Sequence, residues 1–218
     1  MKTVILAAGK GTRFSKNIRS KVLYPINNIP IIINCIETAK SLGSNDFIIV
    51  VNEQNKLYIQ NIMKSYNITA EYVIQKNING ISSAVSLLSW INDDFILILG
   101  DTYTNSRNLS EIIKIHKKYS PVITTTAIVD DDIESVRRAC TIKLCQNNKL
   151  EQIIEKPDFS TGIRGCGIYV CSSEIFDIIQ KHPAMEFTNL MNICDTRCVM
   201  LEGICQNINT IEDAEGLK

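Results

Sequence analysis

Five consecutive apolar residues, Phe95-Ile96-Leu97-Ile98-Leu99, constrain this chain more than any other stretch. A strand with one wet face alternates apolar and polar side chains. An uninterrupted run this short has no wet face, so it must be covered on both sides, as strands of parallel sheets are. The run ends at Gly100-Asp101, which brings a carboxylate to the tip of a buried strand, where only a specific use justifies a charge. Two further apolar stretches, residues 3–7 and 47–51, read as buried strands of the same kind.

Between these runs the apolar period changes to that of a helix. Residues 30–39 carry Ile32, Cys35, Ile36 and Ala39 at helical spacing, and residues 56–66 carry Leu57, Ile59, Ile62 and Met63. The same pattern predicts helices over 82–90, over 108–118 with a cap near Asn108 or Ser110, and over 173–181 and 188–195. Strands are expected at 71–74, 122–129, 140–145, 151–154 and 166–171. Strand alternating with helix predicts one α/β domain over residues 1–218, a doubly wound, mostly parallel sheet flanked by helices. Ligands of such sheets bind beyond the carboxyl ends of the strands. Three strand exits therefore matter: after Leu6, after Ile74 and after Leu99.

Lysine plus arginine equals aspartate plus glutamate at 23 each, so the chain has no bulk basic charge to hold nucleic acid. Without a bilayer-length apolar stretch or a leader-like N-terminus, a soluble, cytoplasmic protein without a membrane partner is expected. The eight cysteines include no C-x-x-C pair, and only two histidines accompany them, which disfavours zinc. Most lie in apolar runs and read as reduced, buried thiols.

The loop after the first strand is the main candidate for chemistry. In Leu6-Ala7-Ala8-Gly9-Lys10-Gly11-Thr12-Arg13, the glycines let backbone N–H groups approach a polyphosphate, and Lys10, Arg13 and Lys21 add positive charge. The pattern is neither a Walker loop nor the three-glycine dinucleotide fingerprint. Asp101 suits a hard cation such as Mg²⁺, and either Asn207 or Asn209 can complete such a site. Gln75, with both donor and acceptor, and Gly80 suit the edge of a pyrimidine. Glu155-Lys156 sets an acid and a base at another strand exit. Plainer readings stand beside each: a Gly-rich turn, a capping Asp, a surface glutamine, an exposed ion pair, and a Thr210–Asp213 capping box.

The loop together with Lys21-Val22-Leu23-Tyr24-Pro25 resembles the signature of the sugar-1-phosphate nucleotidyltransferases, also called nucleoside-diphosphate-sugar pyrophosphorylases. Gln75 with Gly80, Gly100-Asp101, Glu155-Lys156-Pro157, Gly165-Cys166-Gly167 and the closing Asn209-Thr210-Ile211-Glu212-Asp213 follow in the order of that family. The resemblance implies a Rossmann-like fold and transfer of a nucleotidyl group from UTP or dTTP to a sugar 1-phosphate, a hexose or N-acetylhexosamine 1-phosphate, with Mg²⁺ as cofactor. It implies that Leu6, Ala7, Ala8, Gly9, Gly11, Thr12, Arg13, Gln75 and Gly80 bind the nucleotide. Arg13, Lys21 and Asp101 would be catalytic; Lys21, Glu155, Lys156 and Gly165 would meet the sugar phosphate; Asp101 and Asn209 would hold the metal. A homo-oligomer is compatible with this reading. Family members commonly have Asn where this chain has Gly165, and Thr-Asp where it has Thr188-Asn189. These departures fall on the acceptor side and leave open a CTP-dependent enzyme for phosphocholine, or a homologue that binds without turnover.

Overall fold

A computed structural model describes residues 1–9, 11, 14 and 20–217. In chain order its strands are β1 (Lys2–Leu6), β2 (Pro25–Ile26), β3 (Ile29–Pro30), β4 (Phe47–Val51), β5 (Glu71–Ile74), β6 (Phe95–Leu99), β7 (Thr102–Ser106), β8 (Ile123–Val129), β9 (Cys140–Leu144), β10 (Leu150–Glu155), β11 (Ile163–Cys171), β12 (Thr196–Met200) and β13 (Gly203–Asn207). The helices are α1 (Ile31–Ser41), α2 (Lys56–Ser65), α3 (Gly80–Ser86), α4 (Glu111–Tyr119), α5 (Ile133–Arg137), α6 (Glu174–Lys181), α7 (Phe187–Ile193) and α8 (Ile211–Glu215).

The run at 95–99 lies where its composition requires, inside the sheet and covered on both faces. β6 pairs in parallel with β1, β1 with β4, and β4 with β5, giving a parallel half ordered β5-β4-β1-β6. On its other side β6 meets β11 in antiparallel register, β11 is antiparallel to β8, and β8 is parallel to β12. The hairpin of β9 and β10 joins through Arg164 opposite Thr141. The sheet is therefore mixed. Alternate side chains of the parallel half feed two cores. Val4, Ile48, Val50, Phe95 and Leu97 pack with Val85 of α3, Leu88 just beyond it, Ile175 of α6, and Phe187 and Leu190 of α7. Ile5, Ile49, Val51, Ile96 and Ile98 pack with Ile32 and Ile36 of α1, Ile59 and Met63 of α2, and Ile112 of α4. At about 1.5–3 kcal/mol for each fully buried aliphatic side chain, this two-sided burial dominates the stability of the sheet.

Several expectations shift. The helix expected over 82–90 runs only from Gly80 to Ser86, because Leu87 and Trp90 face solvent and do not extend the apolar stripe. α7 ends at Ile193, where the chain turns into β12. Strand β7 breaks the apolar rule: its polar residues pair with β13 in a separate two-stranded sheet, so no hydrophobic pattern announces it. Neither Asn108 nor Ser110 caps α4 through its side chain. The Asn108 amide instead accepts from Glu202 N (2.9 Å) and donates to Met200 O (2.9 Å), tying the start of α4 to the β12–β13 turn.

Candidate active site

Two buried strands end side by side, and a glycine lets them do so. Gly100 N donates to Leu6 O at 2.8 Å. A Cβ on residue 100 would lie 2.7 Å from the same oxygen, so glycine is what allows β6 to meet the exit of β1. Asp101 is thereby delivered beside the Ala7-Ala8-Gly9 loop. Lys21 lies in a single 3-10 turn, Lys21–Leu23, and its ammonium pairs directly with the Asp101 carboxylate. The two side chains are only 14% and 18% exposed, so this contact, like the Arg164–Asp130 pair, is shielded from solvent. Gly11, at φ +59°, lies against Lys21; a Cβ there would touch Lys21 Cβ at 3.4 Å.

These groups line one cavity of about 340 Å³. It gathers Leu6, Ala7, Ala8, Gly9 and Gly11 from the loop, Gln75 and Gly80 from the β5–α3 connection, and Lys21, Asp101 and Asn209. Ile78, Ile81 and Ala84 give one side an apolar wall, suited to the flat face of a base. Gln75 is 4% exposed, its backbone N–H donates to Val51 O (2.8 Å), and its amide Nε2 donates to Gly80 O (3.4 Å). The surface-glutamine reading is thereby excluded. Gly80 has φ +85°, and a side chain there would meet the Glu186 carboxylate at 3.0 Å.

Asn209 reaches the cavity from the far end of the chain. Ile208 N donates to Asp101 O (2.8 Å), and Asp213 accepts from Asn209 N (2.8 Å) and Thr210 N (2.9 Å) while its own N–H donates to Thr210 Oγ1 (3.2 Å). The capping box is real, and it also fixes the turn that carries Asn209. Asn207 does not line this cavity; its Oδ1 accepts from Thr102 Oγ1 at 3.4 Å. Lys10, Thr12 and Arg13 lie outside the described residues. Beneath Asp101, Cys35 donates to Thr102 O (3.3 Å); burial, and then the nearby Asp101 charge, raise its pKa far above the ordinary thiol range.

The sequence that builds this strand exit, glycine loop and shielded Lys–Asp pair matches a known family. The family model described as nucleotidyl transferase matches residues 2–202. The chain belongs to the nucleotidyl transferase family. The bifunctional sugar-1-phosphate nucleotidylyltransferase/acetyltransferase of Sulfurisphaera tokodaii is 28% identical over 202 residues, covering 88% of this chain and 47% of that protein. The bifunctional protein GlmU of Buchnera aphidicola is 36% identical over 197 residues, covering 84% and 41%. This family member thus spans about half the length, or less, of these two curated relatives. A solved UDP-glucose pyrophosphorylase, complexed with UDP-glucose, superposes with a TM-score of 0.84 at 20% identity, over 99% of this chain and 96% of the other, a likeness of fold.

Of the residues expected to meet the sugar phosphate, Lys21 lines the main cavity, whereas Glu155, Lys156 and Gly165 do not. Glu155, the last residue of β10, opens onto a second, polar cavity of about 350 Å³ with Glu186, Thr188 and Asn189. Thr188 Oγ1 donates to Glu155 Oε2 at 3.1 Å, and Lys156, at φ +47°, lies 3.6 Å from Glu155 Oε1 with an exposed side chain. Gly165 is buried in β11, where a Cβ would lie 2.5 Å from Cys140 Sγ and 3.1 Å from Ile142 Cδ1. Packing of β9 on β11 therefore accounts for the glycine. Among the described residues no cluster of three metal-binding side chains occurs, and no helix is long and apolar enough to cross a membrane. All eight cysteines are free; burial pushes Cys140 to about 11 and Cys198 to about 12. Sequence reasoning missed Asn52 and Asn55, whose amides reach the carbonyls of Ala8 and Ala7, both at 2.8 Å. Their one signal is an N-x-x-N spacing directly after a buried strand.

Proposed function

We propose that this nucleotidyl transferase moves a nucleotidyl group from UTP or dTTP to a sugar 1-phosphate, a hexose or N-acetylhexosamine 1-phosphate, and releases pyrophosphate. The observation that carries the reading is the single cavity in which the glycine loop, Gln75, Lys21 and Asp101 converge. In the reaction a phosphate oxygen of the sugar 1-phosphate attacks the α-phosphorus, a new P–O bond forms, and the bond to the β-phosphate oxygen breaks in line. Such a displacement depends on positioning and charge neutralisation rather than proton transfer. The loop N–H groups, with Arg13 as the family resemblance implies, hold the triphosphate. Lys21 holds the incoming phosphate and steadies charge as pyrophosphate departs. Glu155, oriented by Thr188, accepts from sugar hydroxyls.

The donor set fits magnesium: one carboxylate from Asp101 and one amide oxygen from Asn209 leave most positions for phosphate oxygens and waters, as Mg²⁺ prefers. Mg²⁺ held there would neutralise charge on the phosphates. That Asp101 already holds the Lys21 ammonium supports it as the cation-binding carboxylate.

Base preference follows from amide orientation. Gln75 Nε2 is engaged by Gly80 O, which leaves Oε1 to accept from the N3–H of uracil or thymine; cytosine has no hydrogen at N3. The free thiols suit the reducing cytoplasm. A pyrophosphate-release screen of UTP, dTTP, CTP, ATP and GTP against hexose and N-acetylhexosamine 1-phosphates and phosphocholine tests the proposal. Release with UTP or dTTP and a sugar 1-phosphate is expected. Turnover restricted to CTP with phosphocholine, or none with any pair, overturns it.

A further inference from the structure

The loop that would cradle the triphosphate owes its backbone orientation to two side chains outside the cavity. Strand β4 ends at Val51, and the turn Asn52-Glu53-Gln54-Asn55 leads into α2. Asn52 Oδ1 accepts from Gln54 N and Asn55 N, both at 2.9 Å, and its Nδ2 donates to Ala8 O at 2.8 Å. Asn55 is 1% exposed: its Oδ1 accepts from Asn52 N (3.0 Å), and its Nδ2 donates to Ala7 O (2.8 Å) and Ser20 Oγ (3.3 Å). Both hydrogens and the oxygen of the Asn55 amide are thus in use. An amide is required because each residue must both donate and accept, which neither a carboxylate nor a hydroxyl does with this reach.

The consequence follows from peptide planarity. No cis bond occurs among the described residues, so each C=O points opposite to the N–H of the next residue. With the Ala7 and Ala8 carbonyls drawn toward the α2 side, the N–H groups of Ala8 and Gly9 point the other way. Ala7, Ala8 and Gly9 line the main cavity, whereas Asn52 and Asn55 do not. Two successive N–H groups turned to one side make a nest for an anion. Ser20, bonded to Asn55, immediately precedes Lys21 and occupies the N-cap of its turn, so the same amide ties the loop to the cationic side of the site.

We propose that Asn52 and Asn55 are positioning residues that aim the Ala8 and Gly9 N–H groups at the triphosphate; the inference rests on the nucleotidyl-transfer reading above. The test is the dissociation constant of UTP with Mg²⁺, measured calorimetrically on the full chain, beside the melting temperature, for the parent, Asn52→Asp and Asn55→Ala. The N52D carboxylate still accepts from Gln54 N and Asn55 N and suits the start of α2, but it cannot donate to Ala8 O. N52D therefore keeps Tm within about 3 °C while UTP binding weakens about tenfold; N55A weakens UTP at least as much. N52D binding UTP as tightly as the parent overturns the proposal even if N55A fails to fold. So does an affinity that falls only in step with Tm. A parent chain that binds neither UTP nor dTTP overturns the transfer reading as well, which separates the two failures.

Discussion

Lys21 and Asp101 are the residues on which the proposed chemistry turns. Each is largely buried and each has the other as its ion-pair partner. Lys21→Ala removes the cation proposed to hold the incoming phosphate, so kcat/KM for pyrophosphate release is expected to fall about 10²–10³-fold, the scale of losing one charge-stabilising group. Initial rates with UTP and the active acceptor check this, and a variant within twofold of the parent contradicts the assignment. Each residue was legible in the sequence because its signal is local, a carboxylate after a buried run and lysines beside a glycine loop, but their ion pair was not. The Asn52–Asn55 clamp was not, because asparagine after a strand is ordinary turn chemistry and only the fold shows which carbonyls it reaches. Glu155 and Gly165 were read from their order along the chain alone. The Cys140 thiol beside Gly165 gives that glycine a packing reason, and Glu155 opens onto a second cavity beside Thr188.

Strands and turns set the reach of those residues. The buried strands 47–51 and 95–99 were legible to the residue because unbroken apolar runs have one stable environment, and 71–74, a half-exposed edge strand, was legible from its apolar Tyr72-Val73-Ile74. Strands β7 and β13 were hidden because a polar, half-wet pair has no such pattern, although their sheet leads the chain to Asn209. At the junction of β1 and β6, Gly100→Ala forces a methyl to within 2.7 Å of Leu6 O. The strand tips must then separate at a cost of about 1–3 kcal/mol. With a shift of about 2–4 °C per kcal/mol for a chain of this size, calorimetric Tm is expected to drop by several degrees, and UTP affinity to fall with it as Asp101 moves from the loop. An unchanged Tm contradicts the close approach.

At the scale of the whole molecule, helices cover both faces of a mixed sheet, and the main cavity lies at the carboxyl ends of β1, β5 and β6. Fold and family were legible from alternation and from the opening motif; the second cavity, the one proposed to meet the sugar, was not, because it is built from β10 and α7, which are distant in sequence and carry no compact motif. The central claim is that this opening transfers the α-phosphoryl nucleotide itself. UTP labelled with ³²P at the α-phosphate, incubated with Mg²⁺ and the acceptor found by the screen, tests it most directly. The account predicts that the label passes into a nucleotide sugar while unlabelled pyrophosphate is released, and that Asp101→Ala abolishes the transfer. Label remaining in UTP, or transfer undiminished in D101A, contradicts it.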